Sequence, residues 1–209
     1  MAAPHRNRVT PQGEIVAIGL RGAWTGNRGC LHRGEDIVRQ WASAHWLICS
    51  LQFRGWWHEQ WVPRRLTWLF FHDEAVAFAA GHRPCALCRR PAYNTYREAL
   101  SAAGPPAGFN EIDRRLHGER LDRGTRRRRL HSVAWSELPD GTFVIDGGQP
   151  ALVLGRHLLG WSHDGYGEHR RRPRNGTAQM LTPPSTLAVL QSGYPVQIDA
   201  TAASRARGS

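Results

Sequence analysis

The sequence predicts an α+β fold, in which short strands and short helices are mixed along the chain. Apolar residues recur with the two-residue period of strands in some segments and with the helical period in others. The helices do not alternate regularly with strands, as βαβ units would require. The two-residue period returns between His131 and Leu154, which predicts a C-terminal antiparallel β region.

The composition is that of a globular protein. The chain has 209 residues, of which 41% are hydrophobic and 22% are charged, and these values exclude a disordered or fibrous chain. This length allows one domain, or one domain with a small appendage. We expect an α+β region with a zinc knuckle over residues 1–104, a helix and a β-rich region packed on it over residues 105–200, and a disordered tail over residues 201–209.

In the first region, strands are predicted over residues 14–20, 46–53 and 66–71. Helices are predicted over 73–80, where a glycine follows, and over 91–103, where a glycine and two prolines follow. In the second of these strands, residues at alternate positions are expected to face the core, and these are Leu47, Cys49, Leu51 and Phe53.

In the second region, a helix is predicted over residues 110–121, with Asn110 as its cap. Strands are predicted over 131–137, 142–146 and 151–154, and Pro139-Asp140-Gly141 predicts a hairpin turn between the first two. The glycine-rich, polar residues 155–176 predict a loop. A short helix is predicted over residues 186–192.

The net charge of +11 is carried by arginine, since the chain contains no lysine. A strongly basic protein attracts polyanions, and arginine binds phosphates and stacks on bases. Nucleic acid, with DNA favoured, is therefore the expected partner, although arginine in place of lysine on an ordinary surface would give the same composition. The candidate contacts are Arg83, Arg89, Arg90, Arg126, Arg127, Arg128, Arg129 and Trp57.

The sequence predicts a cytoplasmic protein without a membrane segment. It has no apolar run long enough to span a bilayer, and its first residues lack the apolar stretch of a signal peptide. The chain contains four cysteines. In a reducing compartment, cysteines serve as core thiols or metal ligands more often than as disulfides.

Cys85 and Cys88 form a C-x-x-C motif, which can bind one zinc ion from a tight knuckle. A redox function is disfavoured because the motif follows a helix and a glycine instead of opening a helix after a strand. The neighbouring arginines, Arg83, Arg89 and Arg90, would favour ionised thiols.

Two further ligands would complete a closed site. His32 and Cys30, in a glycine-rich loop, are the first candidates, and His82 and His72 are alternatives. Cys49 lies on the apolar face of a predicted strand and is interpreted as a core thiol. If only Cys85, Cys88 and one histidine bind, one coordination position stays open and the site could be catalytic.

The segment around the C-x-x-C motif, residues 69–88 (LFFHDEAVAFAAGHRPCALC), resembles the zinc-binding segment of the Ada DNA-repair methyltransferase family. The resemblance covers about 20 of the 209 residues. It implies a zinc module that contacts DNA, with Cys85 and Cys88 as ligands. In that family a cysteine ligand accepts a methyl group from a phosphotriester. The upstream C-x-x-x-C pair and the Pro-Cys-His-Arg motif of the family are absent here.

Two further clusters carry candidate catalytic groups. Asp113 and His117 are spaced to share one face of the predicted helix with Arg120, and an Asp–His pair can orient a general base. His163 and Tyr166 lie in the predicted glycine-rich loop. A solvated helix face and an ordinary surface loop are the alternative interpretations.

Together these observations favour a zinc-containing DNA-binding protein that acts in DNA repair or processing. One alternative is a zinc- or histidine-dependent hydrolase, of nuclease or glycosylase type, that acts on nucleic acid or a small anionic substrate. Another is a structural zinc domain that binds a protein. Four protein ligands would indicate a structural knuckle, whereas three ligands and a water in a cleft would indicate catalysis.

Overall fold

A computed structural model describes residues 3–56, 59–105, 108–122, 124–125 and 127–207, without the side chains of residues 203 and 205–207. The elements of the first half are, in chain order, β1 (Arg6–Val9), β2 (Ile15–Ala17), β3 (Trp24–Asn27), β4 (His32–Arg33), β5 (Asp36–Ile37), β6 (Leu47–Cys49), β7 (Leu69–Phe71), α1 (Glu74–Ala79), β8 (Arg83–Pro84) and α2 (Arg90–Ala102).

The elements of the second half are α3 (Phe109–Arg120), β9 (His131–Ala134), a short 3-10 helix (Trp135–Glu137), β10 (Phe143–Asp146), β11 (Gln149–Leu154), β12 (His157–Ser162), β13 (Gly165–Arg171), β14 (Thr177–Met180), α4 (Pro184–Gln191) and α5 (Ala200–Arg207). Helices and antiparallel strands occur together, which confirms the predicted α+β class.

The strands form two larger sheets. The first has the order β2-β1-β7-β3-β6-β8, in which β1–β7 and β6–β8 pair in parallel and the other neighbours are antiparallel. The second has the order β13-β12-β11-β10-β14-β9 and is antiparallel throughout, in agreement with the predicted C-terminal β region. Strands β4 and β5 form a separate small hairpin.

Helix α1 is buried on every side and packs against both sheets. Asp73 caps its N-terminus, because the Asp73 carboxylate accepts a 2.8 Å hydrogen bond from the backbone N–H of Val76. Phe78 belongs to the apolar cluster of the first sheet, whereas Ala75 and Val76 belong to that of the second. The helix predicted over 73–80 is therefore the shared core element of the fold.

Two arginines, fully buried Arg120 and half-buried Arg128, bind the carbonyl groups at the C-terminal end of α1. Arg120 donates to the Gly81 carbonyl at 2.9 Å, and Arg128 donates to the carbonyls of Ala79 and Ala80. Their guanidinium charges complement the negative end of the helix dipole. Burial lowers the pKa of both arginines to about 9.

Two buried arginines, Arg28 and Arg120, also stack on Trp46. The guanidinium groups of Arg28 and Arg120 lie 3.8 and 4.0 Å from the Trp46 ring. Arg28 Nε also donates a 3.1 Å hydrogen bond to Nε2 of His82. His82 is fully buried, and burial followed by the charges of Arg28 and Arg120 holds its pKa well below the ordinary value.

The sequence predicted a loop over residues 155–176, and this prediction is wrong. These residues contain the antiparallel strands β12 and β13. Trp161 pairs with Tyr166 across the turn at His163-Asp164. The inner face of this hairpin is apolar, while Glu168 and Arg170 on the other face are exposed. The polar composition therefore reflects the solvent side of a strand.

The tail predicted to be disordered forms helix α5 as far as Arg207, and residues 208 and 209 lie outside the described residues. Ala202 is fully buried in the apolar cluster of the second sheet. Asp199 accepts hydrogen bonds from the backbone N–H and hydroxyl of Thr201, which stabilise the first turn. One buried alanine was too weak a pattern to predict this helix.

Two further expectations are corrected. Strand β6 buries Ile48, whereas Leu47 and Cys49 are half-buried, so the predicted core face of this strand is the opposite one. Residues 140–141 do form a turn, but β9 pairs with β14 and β10 pairs with β11, so this turn does not join a hairpin. Among the described residues, no helix has the length and apolar character needed to cross a membrane.

Candidate metal centre and its cleft

Cys49, Cys85 and Cys88 converge at the edge of the first sheet, and their sulfur atoms all lie within 4.8 Å of one another. The parallel pairing of β6 with β8 causes this convergence, because Ile48 lies opposite Pro84 and a cysteine directly follows each of these two residues. The backbone N–H of Cys85 bonds to the Ile48 carbonyl at 2.9 Å, which continues the ladder. The interpretation of Cys49 as a core thiol is therefore wrong.

The C-x-x-C segment forms a tight turn that positions its two thiols. The backbone N–H of Leu87 lies 3.4 Å from the Cys85 sulfur, and the N–H of Arg89 bonds to the Cys85 carbonyl. On the opposite side, the Ser50 hydroxyl donates to the Cys88 carbonyl at 3.2 Å. The residue that follows Cys49 thus also supports the turn that carries Cys88.

The contacts among the three cysteines favour a thiolate at Cys85. The thiols of Cys49 and Cys88 hydrogen-bond to a Cys85 thiolate and lower the pKa of Cys85 to about 2. The same contacts with Cys85 and Cys88, together with burial, raise the pKa of Cys49. A cluster of three sulfurs that favours a thiolate is a donor set for a soft or borderline metal ion. The three cysteines could therefore hold a metal ion.

The cysteine cluster opens on a cleft of about 1120 Å³. The walls of the cleft combine the three cysteines with polar groups, which include Asn27, His45 and Arg65. Its mouth is apolar and carries exposed side chains, which are Leu51, Trp56, Leu66, Leu87 and Phe109. A metal held by the cysteines would therefore be accessible to a ligand in the cleft.

The same cleft contains a histidine oriented by a buried carboxylate. Nδ1 of His45 lies 2.5 Å from a carboxylate oxygen of Asp113. Asp113 is buried, and it also accepts two hydrogen bonds from the Arg83 guanidinium, at 2.8 and 2.7 Å. The His45 side chain is about half exposed, whereas its partner Asp113 is almost fully buried.

His32 and Cys30, predicted as the other metal ligands, are not part of the described cysteine cluster. Both ring nitrogens of His32 are used elsewhere. Nε2 must carry the proton, because its partner at 3.1 Å is the carbonyl of Val62, and Nδ1 accepts from the Thr67 hydroxyl at 2.6 Å. The Cys30 sulfur lies 4.0 Å from the His32 carbonyl.

The predicted catalytic groups do not form one site. Asp113 contacts the cleft through His45, but His117 accepts a 2.8 Å hydrogen bond from Arg120 on the same helix face. Burial and Arg120 lower the pKa of His117. Tyr166 is buried and donates to Asp73, and His163 is exposed at the β12–β13 turn.

Several predicted phosphate contacts are structural instead. Arg83 is paired with Asp113, and Arg89 is paired with Glu74 at 2.7 Å and stacks on Trp24 at 3.8 Å. The guanidinium group of Arg128 bonds to buried carbonyls, as described above. Arg90, Arg127 and Arg129 are exposed, while Arg126 and Trp57 lie outside the described residues.

Sequence reasoning missed Cys49 and His45 as site residues. The signal for Cys49 was available in principle, because its strand also carries Ile48 and only one of the two can face the core. No comparable signal existed for His45, since its partner Asp113 is 68 residues away on α3. No protein-family model matches this chain, and comparisons with curated proteins and with solved structures found no match.

Proposed function

We propose that this chain is a zinc-containing protein that binds DNA in repair or processing, with the DNA bound in the cleft at the cysteine centre. The observation that carries the proposal is the position of three converging thiols on the wall of an open cleft. A purely structural site is normally closed by four protein ligands.

Zinc is the metal favoured by the donor set. Thiolates at the spacing of Cys85 and Cys88 are typical zinc ligands, and Cys49 supplies a third sulfur. When bound, zinc would act there as a Lewis acid with one coordination position available to a ligand from the cleft.

The cleft also favours an unpaired nucleic-acid strand. Exposed aromatic rings, Trp56 and Phe109, flank its mouth, and aromatic rings are the platforms on which unpaired bases stack. Arg65 is an exposed cation on the same wall, and the net charge of +11 attracts phosphates from a distance. The Ada-like segment supplies two of the three cysteines and supports the same partner.

The metal is tested by elemental analysis and X-ray absorption on the purified protein. We expect one zinc with three sulfur ligands and one oxygen or nitrogen ligand. Cys49→Ser and Cys85→Ser should each lose zinc, whereas Cys30→Ser, outside the described cluster, should retain it. Zinc retained in Cys49→Ser, or a coordination shell with two sulfurs only, would contradict the proposal.

DNA binding is tested with a fluorescein-labelled single-stranded oligonucleotide at increasing salt. We expect Trp56→Ala and Phe109→Ala to weaken binding by about tenfold each, because loss of one stacked base costs about 1–3 kcal/mol. Leu130→Ala is the control, since Leu130 is also exposed but does not line the cleft. Equal affinities of all three variants and the wild type would exclude the cleft as the binding surface.

A second candidate function, hydrolysis of nucleic acid, is favoured by the His45–Asp113 pair. A carboxylate that accepts from Nδ1–H leaves the lone pair of Nε2 free to act as a general base. His45 would take a proton from a water molecule as that water's oxygen attacks the phosphorus or sugar carbon. It would then return the proton to the leaving group. His45→Gln should abolish cleavage of single-stranded DNA while zinc content and DNA affinity stay unchanged.

A further inference from the structure

A small pocket on the second sheet, away from the cysteine cleft, is strongly basic. It has a volume of about 300 Å³, and four of its eight lining residues are arginines: Arg156, Arg171, Arg172 and Arg174. The other four are Trp135, Ser136, Gly155 and Pro173, so the lining contains no carboxylate. A concave surface with this lining attracts anions.

The pocket is built from three segments that one arginine holds together. Arg172 donates to the carbonyl of Leu138 at 2.8 Å and to that of Trp135, and its backbone N–H bonds to the Arg156 carbonyl at 2.9 Å. These contacts join the end of β13, the turn before β12 and the 3-10 helix that follows β9. Strands β13 and β9 are the two edge strands of the sheet. Arg172 therefore connects the segment that follows one edge strand to the 3-10 helix that follows the other.

The other three arginines are available to a ligand. Arg156, Arg171 and Arg174 are exposed, and within the described residues none of them is paired with a carboxylate. Arg170, the neighbour of Arg171, differs because it forms an ion pair with Asp146. Trp135 also lines the pocket and, unlike these three arginines, is buried.

We infer that this pocket is a phosphate-binding site. A planar guanidinium group can bind two phosphate oxygens at once, and three unpaired guanidiniums around one pocket attract the negative charge of a phosphate group. The phosphate could belong to a nucleic-acid backbone or to a free phosphorylated small molecule. The inference goes beyond the proposed function, because it concerns a different surface and does not require a metal.

The test compares two double variants that remove the same charge. Arg156→Gln/Arg174→Gln alters the pocket, and Arg33→Gln/Arg39→Gln removes two other exposed arginines. The probes are inorganic pyrophosphate, measured by calorimetry, and a fluorescein-labelled oligothymidylate, measured by anisotropy. Thermal unfolding of both variants checks that the fold is retained.

We expect the pocket variant to bind pyrophosphate about tenfold more weakly or worse, and the control to bind it like the wild type. If the pocket variant also binds the oligonucleotide more weakly, and with a smaller salt dependence, the phosphate belongs to a nucleic-acid backbone. If the oligonucleotide is unaffected, the ligand is a free phosphorylated molecule. Equal weakening in both variants, or no binding of pyrophosphate by the wild type at low salt, would overturn the inference.

Discussion

The hydroxyl group of Tyr166 donates a 2.6 Å hydrogen bond to the carboxylate of Asp73, and both residues are buried. The bond ties β13 of the second sheet to the N-terminal cap of α1. Asp73 also accepts from the backbone N–H of Asp199, which precedes α5. One carboxylate therefore connects three elements that are distant in the sequence.

We expect Tyr166→Phe to lower the free energy of unfolding by about 1–3 kcal/mol, because a buried carboxylate loses a partner. Zinc content and DNA affinity should not change, since Tyr166 lies outside the cleft. Tyr93→Phe is the matched control. Denaturant unfolding of both variants measures the difference, and an unchanged free energy of unfolding in Tyr166→Phe would contradict the prediction.

Asp113 is expected to contribute much more to stability than its partner His45. In Asp113→Ala the buried Arg83 loses both of its hydrogen bonds to a carboxylate, and an uncompensated buried charge costs about 3–5 kcal/mol. His45→Ala should cost less than about 1 kcal/mol, because His45 is half exposed. Chemical denaturation of the two variants tests the prediction, and equal losses would show that Arg83 finds another partner.

His82 should make the protein less stable as the pH falls. Its pKa is lowered in the folded state, so the unfolded chain binds a proton that the folded chain does not. The stabilising contribution is complete above pH of about 6.5 and decreases below it, by at most about 1.4 kcal/mol per pH unit. The free energy of unfolding of His82→Gln should depend less on pH than that of the wild type. This difference should be seen between neutral and mildly acidic pH. His163→Gln, at an exposed site, should keep the wild-type slope.

Two glycine substitutions are predicted to change stability in opposite directions. Gly81 has a φ of +88°, and an added Cβ would lie 2.7 Å from the Arg120 side chain, so Gly81→Ala should cost about 1–3 kcal/mol. Gly118 lies within α3 with open space around it, so Gly118→Ala should raise stability by about 0.5–1 kcal/mol. Thermal melts of the two variants provide the comparison, and a Gly81→Ala variant as stable as the wild type would contradict the prediction.

Removal of the zinc that we propose at the cysteine centre should destabilise the sheet as well as empty the site. Cys49 lies on β6 beside the core residue Ile48, so a metal bound by the cysteines would link its binding to folding. With free zinc at about 100 times its dissociation constant, that linkage amounts to about 2.7 kcal/mol. A chelator should lower the melting temperature of the wild type and of Cys30→Ser. A chelator-insensitive wild type would contradict this linkage.

Local signals were predictable from the sequence. The apolar period from residue 73, its cap at Asp73 and the glycine at residue 81 correctly predicted α1, and the C-x-x-C spacing correctly placed two thiols together. Such features depend on residues within one turn of each other, so no knowledge of the tertiary structure is needed.

Features that depend on distant pairing were not predictable. The sulfur partners of Cys49 could not be assigned without β8, whose register puts Cys49 beside Cys85. The β12–β13 hairpin was wrongly predicted to be a loop, because the charged residues on its solvent face give it the polar composition typical of a loop. Charge alone also misled the choice of phosphate contacts, since Arg83, Arg89 and Arg128 neutralise a carboxylate or bind carbonyl groups inside the fold.

Because α1 supplies apolar side chains to both sheets, neither half of the chain contains a complete hydrophobic core. Cutting the polypeptide between α2 and α3 would leave the C-terminal fragment without the helix that covers its sheet, and the N-terminal fragment without α3 and α4. The two sheets should therefore melt together in a single cooperative transition, and a split protein should regain its structure only when both fragments are mixed.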